Sequence, residues 1–235
     1  MRINKYLAEC GLASRRKCEA FVLEGRVKIN GKQISELSTE VRGGDVVTVD
    51  GNKVQPIKKH VYLIMNKPKG YICTASDEFG RKTVLDLIRS DRSERIFPVG
   101  RLDYDTEGLL ILTTDGDLSN RLMHPRNEIP KTYIAKVEGE IPEEQLDKLR
   151  SGIILDGVKT KKSRIKLLEF KDGMSRFEVV ISEGRNRQVR RMFESINKEV
   201  VFLKRVAIGD LKLGGLNRGE YRDLFPEEVN YLKMV

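Results

Sequence analysis

The sequence predicts an α+β protein in two parts: a small helix-helix-strand unit, then a larger domain with a mostly antiparallel, mixed sheet flanked by helices. Three observations carry this. Strand and helix patterns are intermixed, without the regular strand-helix alternation of a parallel sheet. Alternating amphipathic strands and hairpin-type turns dominate. A polar, aperiodic stretch from Lys53 to His60, containing Pro56, reads as a linker. The expected domains are therefore residues 1–60, linker included, and 61–235.

Composition bounds the function. The 235 residues can bury a sizeable core, and 44 Lys plus Arg against 35 Asp plus Glu give a net charge of +9. Such a balance favours a polyanionic partner, nucleic acid before membrane, because no basic amphipathic helix, lipidation signal or long apolar segment is present. The N-terminal residues run straight into an amphipathic pattern, so a cytoplasmic protein is expected. Cys10, Cys18 and Cys73 lack metal-type spacing, and with only His60 and His124 to join them no metal site is expected. No phosphate-cradling glycine loop occurs, which argues against a nucleotide cofactor.

In the first part, Ile3, Leu7 and Cys10 form a helical face stopped at Gly11, where a left-handed residue ends a helix. Ser14 caps a second helix carrying Cys18, Phe21 and Val22, which stops at Gly25. Strands at Val27–Ile29 and Val46–Val49 each run into a hairpin pair, Asn30-Gly31 and Asp50-Gly51. The second helix opens with Arg15, Arg16 and Lys17, each where the helix dipole disfavours a cation by roughly 0.3–1 kcal/mol. An external phosphate backbone would offset that cost; a solvated surface run is the alternative.

In the larger part, Val61–Met65 reads as a strand, followed by a turn at Lys67-Pro68-Lys69-Gly70 and a returning strand at Tyr71–Thr74. Thr83 caps a short helix with Val84, Leu85, Leu87 and Ile88. Ile96–Leu102 then feeds Gly100–Gly116, GRLDYDTEGLLILTTDG, whose run Leu109–Leu112 has the signature of a strand buried on both faces. Asp103, Asp105 and Glu107 sit at the mouth of that strand, a common way to hold a reactive carboxylate on a rigid element. An extended backbone would set Asp103 and Asp105 on one face, but a two-carboxylate glycosidase needs its second carboxyl across the scissile bond. Asp117 caps a helix bearing Leu118, Leu122 and Met123 that Pro125 stops. Thr132–Val137 alternates as a strand, and Pro142 opens a helix with Glu143 and Glu144 in its favoured first turn. After a strand through Phe177, Val179 and Ile181 comes RNRQVRRMFESIN, where Val189, Met192, Phe193 and Ile196 share one helical face. Arg185, Arg187, Arg190 and Arg191 crowd its beginning and need anions nearby, either phosphates or protein carboxylates. Val200–Ile208 and Tyr221–Leu224 return to strand texture, and Glu227–Leu232 closes the chain as a helix.

These residues resemble a known family. INKYLAECGLASRRKCEAFVLEGRVKINGK resembles a small RNA-binding domain found in a primary rRNA-binding protein of the small ribosomal subunit and in several RNA-modifying enzymes. GRLDYDTEGLLILTTDG, KTY at Lys131–Tyr133, and EGRNRQVRRMFE at Glu183–Glu194 resemble the ordered motifs of ribosomal RNA pseudouridine synthases. NKPKG at Asn66–Gly70 and GEYRDL at Gly219–Leu224 match the rRNA-modifying branch with the small N-terminal domain. The resemblance implies the pseudouridine synthase fold and isomerisation of a uridine in rRNA, free or in an assembly particle; that reaction needs no redox or group donor, so no cofactor is expected, and the protein is expected to be a monomer. It implies Asp103 as the essential carboxylate, Tyr133 stacked on the target base and a candidate base for its carbon 5 proton, and Arg190 in contact with the Asp103 carboxylate. Arg15, Arg16, Lys17, Arg101, Arg185, Arg187 and Arg191 are the expected RNA contacts.

Asn186-Arg187 before Gln188, and Arg190 after Val189, depart from the Tyr-His and Lys of the small-subunit form and favour a large-subunit, type B, substrate over 16S rRNA. The competing class is a non-catalytic rRNA-binding assembly factor. It would not require Asp103, Tyr133 and Arg190 together.

Overall fold

The computed structural model describes residues 1–89 and 95–235. They form two compact units: Met1–Val61 with Thr113–Gly116 and the described part of Ser90–Phe97, and the remainder of the chain.

In the first unit, α1 (Ile3–Glu9) and α2 (Arg15–Leu23) precede β1 (Val27–Ile29), β2 (Lys32–Gln33), β3 (Val47–Val49) and β4 (Asn52–Lys53), in sheet order β2-β1-β3-β4. The local signals act as expected. Ser14 Oγ accepts the Lys17 amide at 3.2 Å, and Gly11 and Gly25 end their helices at positive φ. Asn30-Gly31 and Asp50-Gly51 all have positive φ, as two-residue hairpin turns that match strand twist require. Ile3, Leu7, Cys18, Val22, Val27 and Val47 close one buried cluster. That leaves Arg15, Arg16 and Lys17 exposed, with no side-chain partner among the described residues.

The second unit holds a nine-stranded sheet among the described residues. In chain order its secondary structure is β5 (Tyr62–Lys67), β6 (Phe97–Val99), β7 (Glu107–Thr113), α3 (Gly116–Met123), β8 (Lys131–Glu138), α4 (Glu143–Ser151), the β9–β10 hairpin (Ile154–Leu155 and Val158–Lys159), β11 (Arg164–Lys171), β12 (Met174–Ile181), α5 (Gln188–Glu194), β13 (Val200–Ile208), β14 (Leu211–Lys212), β15 (Tyr221–Asp223) and α6 (Pro226–Met234). The sheet runs β11-β12-β8-β13-β7-β5-β15, with β14 on β13 and β6 on β7. The pairs β11–β12, β12–β8, β8–β13 and β15–β5 are antiparallel, while β7 and β13 run parallel. The mixed, mostly antiparallel sheet is the architecture the alternating patterns imply.

Two apolar clusters cover the sheet. One joins Ala135, Val137, Phe177, Val179 and Leu203 to Leu146 and Leu149 of α4 and to Val189, Met192 and Phe193 of α5. The other joins Ile64, Leu109 and Ile111 to Leu118 and Leu122 of α3 and Leu232 of α6. All seven residues of β7 are buried, so this strand is held from both faces. Gly108 lets it approach β13: a Cβ there would lie 2.1 Å from the Arg205 carbonyl oxygen.

Four local expectations are corrected. Tyr71–Thr74 is not a returning strand; it makes only an isolated bridge, Ile72 with Thr83. The helix after Thr83 is a single 3-10 turn, Val84–Leu87, anchored by Asp86 Oδ2 accepting the Thr83 amide at 2.6 Å. Asp117 lies inside the first turn of α3 and not at its cap. Helix α5 starts only at Gln188, because Arg187 before it is left-handed, with φ 48°.

Candidate active site

A cleft of about 470 Å³ opens at the head of β7 and is lined by Arg101, Asp103, Thr106, Lys131, Tyr133 and Arg205, among others. Asp103 comes from the loop entering β7, Tyr133 from β8 and Arg205 from β13. These are separate elements of one sheet, so the cleft inherits its rigidity.

The loop is fixed through its main chain. The Lys67 side chain, at the end of β5, is fully buried. Its Nζ donates to the carbonyl oxygens of Pro68, Asp103 and Thr106 at 3.0, 3.0 and 2.8 Å. The Thr106 amide donates to Asp103 O at 3.1 Å, and the Gly70 amide to Tyr104 O at 2.9 Å. Leu102 is held by its amide on Cys73 Sγ at 3.3 Å. Each of these anchors is to the backbone, and the Asp103 carboxylate has no hydrogen-bond or ion-pair partner among the described residues. A fixed backbone presenting an unengaged carboxylate to a cleft suits attack on, or proton removal from, a bound sugar. Burial pushes the Lys67 ammonium below its usual pKa, while Cys73 and the carboxylates of Asp103, Asp105 and Glu107 pull the other way.

Asp103 and Asp105 do not share a face. The chain turns between them, and Asp105 points to α5 and the residue before it. Arg187 Nη1 lies 3.1 Å from Asp105 Oδ1, and Arg190 Nε lies 3.2 Å from Oδ2, an ion pair without hydrogen-bond alignment. Arg190 also donates to the carbonyls of Asp105 and Val200. Burial alone would raise the Asp105 carboxyl, but the Arg187 hydrogen bond and the charges of Arg190 and Arg187 outweigh it and hold the carboxyl below the usual range. The direct partner of Arg190 is therefore Asp105, where the motif implied Asp103.

The other arginines also find internal anions or dipoles. Arg185 donates to the carbonyls of Leu155, Val158 and Lys159, tying down the β9–β10 hairpin, and pairs with Glu183 at 3.4 Å. Arg191 makes two 2.8 Å bonds to Asp156. Buried Glu107 pairs with Arg218 at 3.2 Å. Arg101 alone of the expected cleft arginines is exposed without a carboxylate partner among the described residues.

Three features lie outside the expected site residues. Lys67 sits in the NKPKG segment, Lys131 in KTY, and Arg205 inside β13. The first two fall in motifs already singled out; Arg205 carries no local signal. Its environment exists only once β7, β8 and β13 are assembled.

A family model described as RNA pseudouridylate synthase matches residues 61–195, and an S4 domain model matches residues 1–47. The chain is 49% identical over 236 residues to the ribosomal large subunit pseudouridine synthase B of Bacillus subtilis, covering 100% of this chain and 96% of that protein. A protein of the same description from Pseudomonas aeruginosa is 39% identical over 98% of this chain, which spans 61% of that longer protein. Among solved structures, the crystal structure of a pseudouridylate synthase superposes with a TM-score of 0.72 at 31% identity, over 99% of both chains.

Proposed function

The chain belongs to the RNA pseudouridylate synthase family, and we propose that this RNA pseudouridine synthase isomerises a uridine of large-subunit ribosomal RNA with Asp103 as its reacting carboxylate. The observation that carries the role of Asp103 is its carboxylate, unengaged among the described residues, on a loop whose main chain is tied down at Leu102, Asp103, Tyr104 and Thr106.

The reaction breaks the N1–C1′ bond, turns the uracil and joins its carbon 5 to C1′; the carbon 5 proton is lost and N1 gains one. The target base must first leave its stack. Asp103 then attacks C1′, or takes a proton from C2′ to leave a glycal. Both routes need the ionised carboxylate. Lys67 and Arg187 supply positive charge near Asp103, and Arg190 acts through Asp105 to hold the loop. Tyr133 offers a ring for stacking and a phenol oxygen for the carbon 5 proton. Arg101 and Arg187 are placed to grip RNA at the cleft, with Arg187 exchanging Asp105 for phosphate. Arg185 and Arg191, held by their internal partners, complete the basic border. The enzyme works in the cytoplasm, and among the described residues no helix is long and apolar enough to cross a membrane.

The deciding experiment maps pseudouridines in total rRNA from cells with and without this gene. One large-subunit position should revert to uridine in its absence. Loss of a small-subunit position instead would move the substrate to 16S rRNA, and no change in either would remove rRNA as the substrate.

The N-terminal residues 1–60 form, in this reading, a separate RNA-binding module whose contact surface includes Arg15, Arg16 and Lys17. Changing all three to Gln should weaken rRNA binding and flatten its salt dependence, by up to about 0.9 in the log-log slope for each phosphate no longer neutralised. Filter binding across a salt series measures this. Wild-type slope and affinity in the variant would take these residues out of the interface.

A further inference from the structure

We propose that Lys131 and Arg205 together form a phosphate subsite within the cleft, taking a phosphodiester of the RNA strand that carries the target uridine. The proposal rests on RNA being the substrate.

Arg205 and Tyr133 are direct cross-strand partners on β13 and β8, so their side chains share one face of the sheet. Lys131 lies two residues before Tyr133 on the same strand and so on the same face. All three line the cleft. Arg205 is 5% exposed; its Nε donates to Leu109 O at 2.8 Å, while its Nη2 is buried without a hydrogen-bond partner. Lys131 is half-buried, and neither cation has a carboxylate partner among the described residues. Burial, then the charge of Arg205, push the Lys131 ammonium below its usual pKa.

Two desolvated like charges lining one cleft disfavour each other, and a buried guanidinium N–H left unbonded adds to the cost. The neighbouring arginines escape this: Arg187 has Asp105, and Arg185 has Glu183 and three carbonyls. An anion entering between Lys131 and Arg205 would relieve both costs at once. A uracil carbonyl would satisfy the free N–H yet leave two charges uncompensated. In an RNA substrate the group that neutralises them is the backbone phosphate, and seating it beside Tyr133 would fix the flipped nucleotide against the ring.

The test uses full-length protein and, as probe, rRNA purified from cells lacking the gene, with filter binding over a salt series and single-turnover pseudouridine formation. Lys131→Gln and Arg205→Gln should each weaken binding about tenfold. The double variant should show a log-log salt slope shallower by about 0.7, the value for one single-strand phosphate, and not twice that. Arg205→Lys should restore most of the slope. Loss of activity with wild-type slope in Lys131→Gln would overturn the subsite, as would slopes that fall by two phosphates in the double variant. Should Arg205→Gln fail to fold by circular dichroism, Lys131→Gln decides alone. Wild-type protein that ignored rRNA would sink the functional reading and the subsite with it; salt-dependent wild-type binding with unaltered variants would sink the subsite only.

Discussion

Asp103→Asn is expected to abolish pseudouridine formation while leaving rRNA affinity within about twofold of wild type. Asn keeps the size and shape of the side chain and removes its charge. In this structure the change should disturb little else, because the loop is held through main-chain atoms that the substitution does not touch. The carboxylate itself has no partner among the described residues. Folding stability should therefore shift by no more than about 0.5 kcal/mol, the usual range for a change away from buried groups. Catalysis should respond very differently, since neither attack on C1′ nor removal of the C2′ proton is open to a neutral amide. Single-turnover assays on rRNA from cells lacking the gene, paired with filter binding and a thermal melt, separate the three quantities. Residual pseudouridine formation above about one part in a thousand would show that another group initiates the reaction. A loss of stability or of binding equal to the loss of rate would assign Asp103 to structure.

How much of this was legible in the sequence depends on whether the signal was local. Ser14, Gly11 and Gly25 cap and stop helices by chemistry that acts over three or four residues, and those boundaries were readable. So were β8, β12 and β13, whose alternating burial leaves a period of two, and the apolar run inside β7. Strand β11 was not. In RIKLLEFK only Ile165 is buried, so no alternation marks this edge strand. At the site, the convergence of the Asp103 loop and Tyr133 on one cleft could be expected from separated motifs. The pairing inside it could not, because the turn closed by the Thr106 amide on Asp103 O sends Asp105 toward Arg187 and Arg190. Arg205 is the extreme case. Nothing local in VVFLKRVAI marks it as a buried cation at a cleft, and the Leu109 carbonyl that its Nε meets at 2.8 Å comes alongside only when β7 pairs with β13.

Lys67→Met should lower both stability and activity, and the way it does so tests whether Asp103 is preorganised. Met matches the unbranched reach of the lysine and keeps the buried packing, so the change isolates three hydrogen bonds. Of the three carbonyls, Asp103 O retains the Thr106 amide at 3.1 Å. Those of Pro68 and Thr106 lose the buried donor. At about 1–3 kcal/mol for each buried acceptor left unsatisfied, the gross cost is roughly 2–6 kcal/mol. Part of it is offset because the variant no longer buries an ammonium whose pKa burial already depresses. A net loss of about 2–4 kcal/mol is expected in urea unfolding. Freed of its tether, the loop would sample positions displaced by an ångström or so, enough to cost about a hundredfold in rate. The rate should fall at saturating rRNA, with the binding constant moving far less, because Lys67 holds the reacting group and does not touch the strand. Lys67→Arg should recover little, since a planar fork cannot place one nitrogen among three carbonyls converging on a point. A variant that unfolded more easily yet turned over at the wild-type rate would separate Lys67 from the chemistry and leave the ordering of Asp103 to Cys73, Gly70 and Thr106.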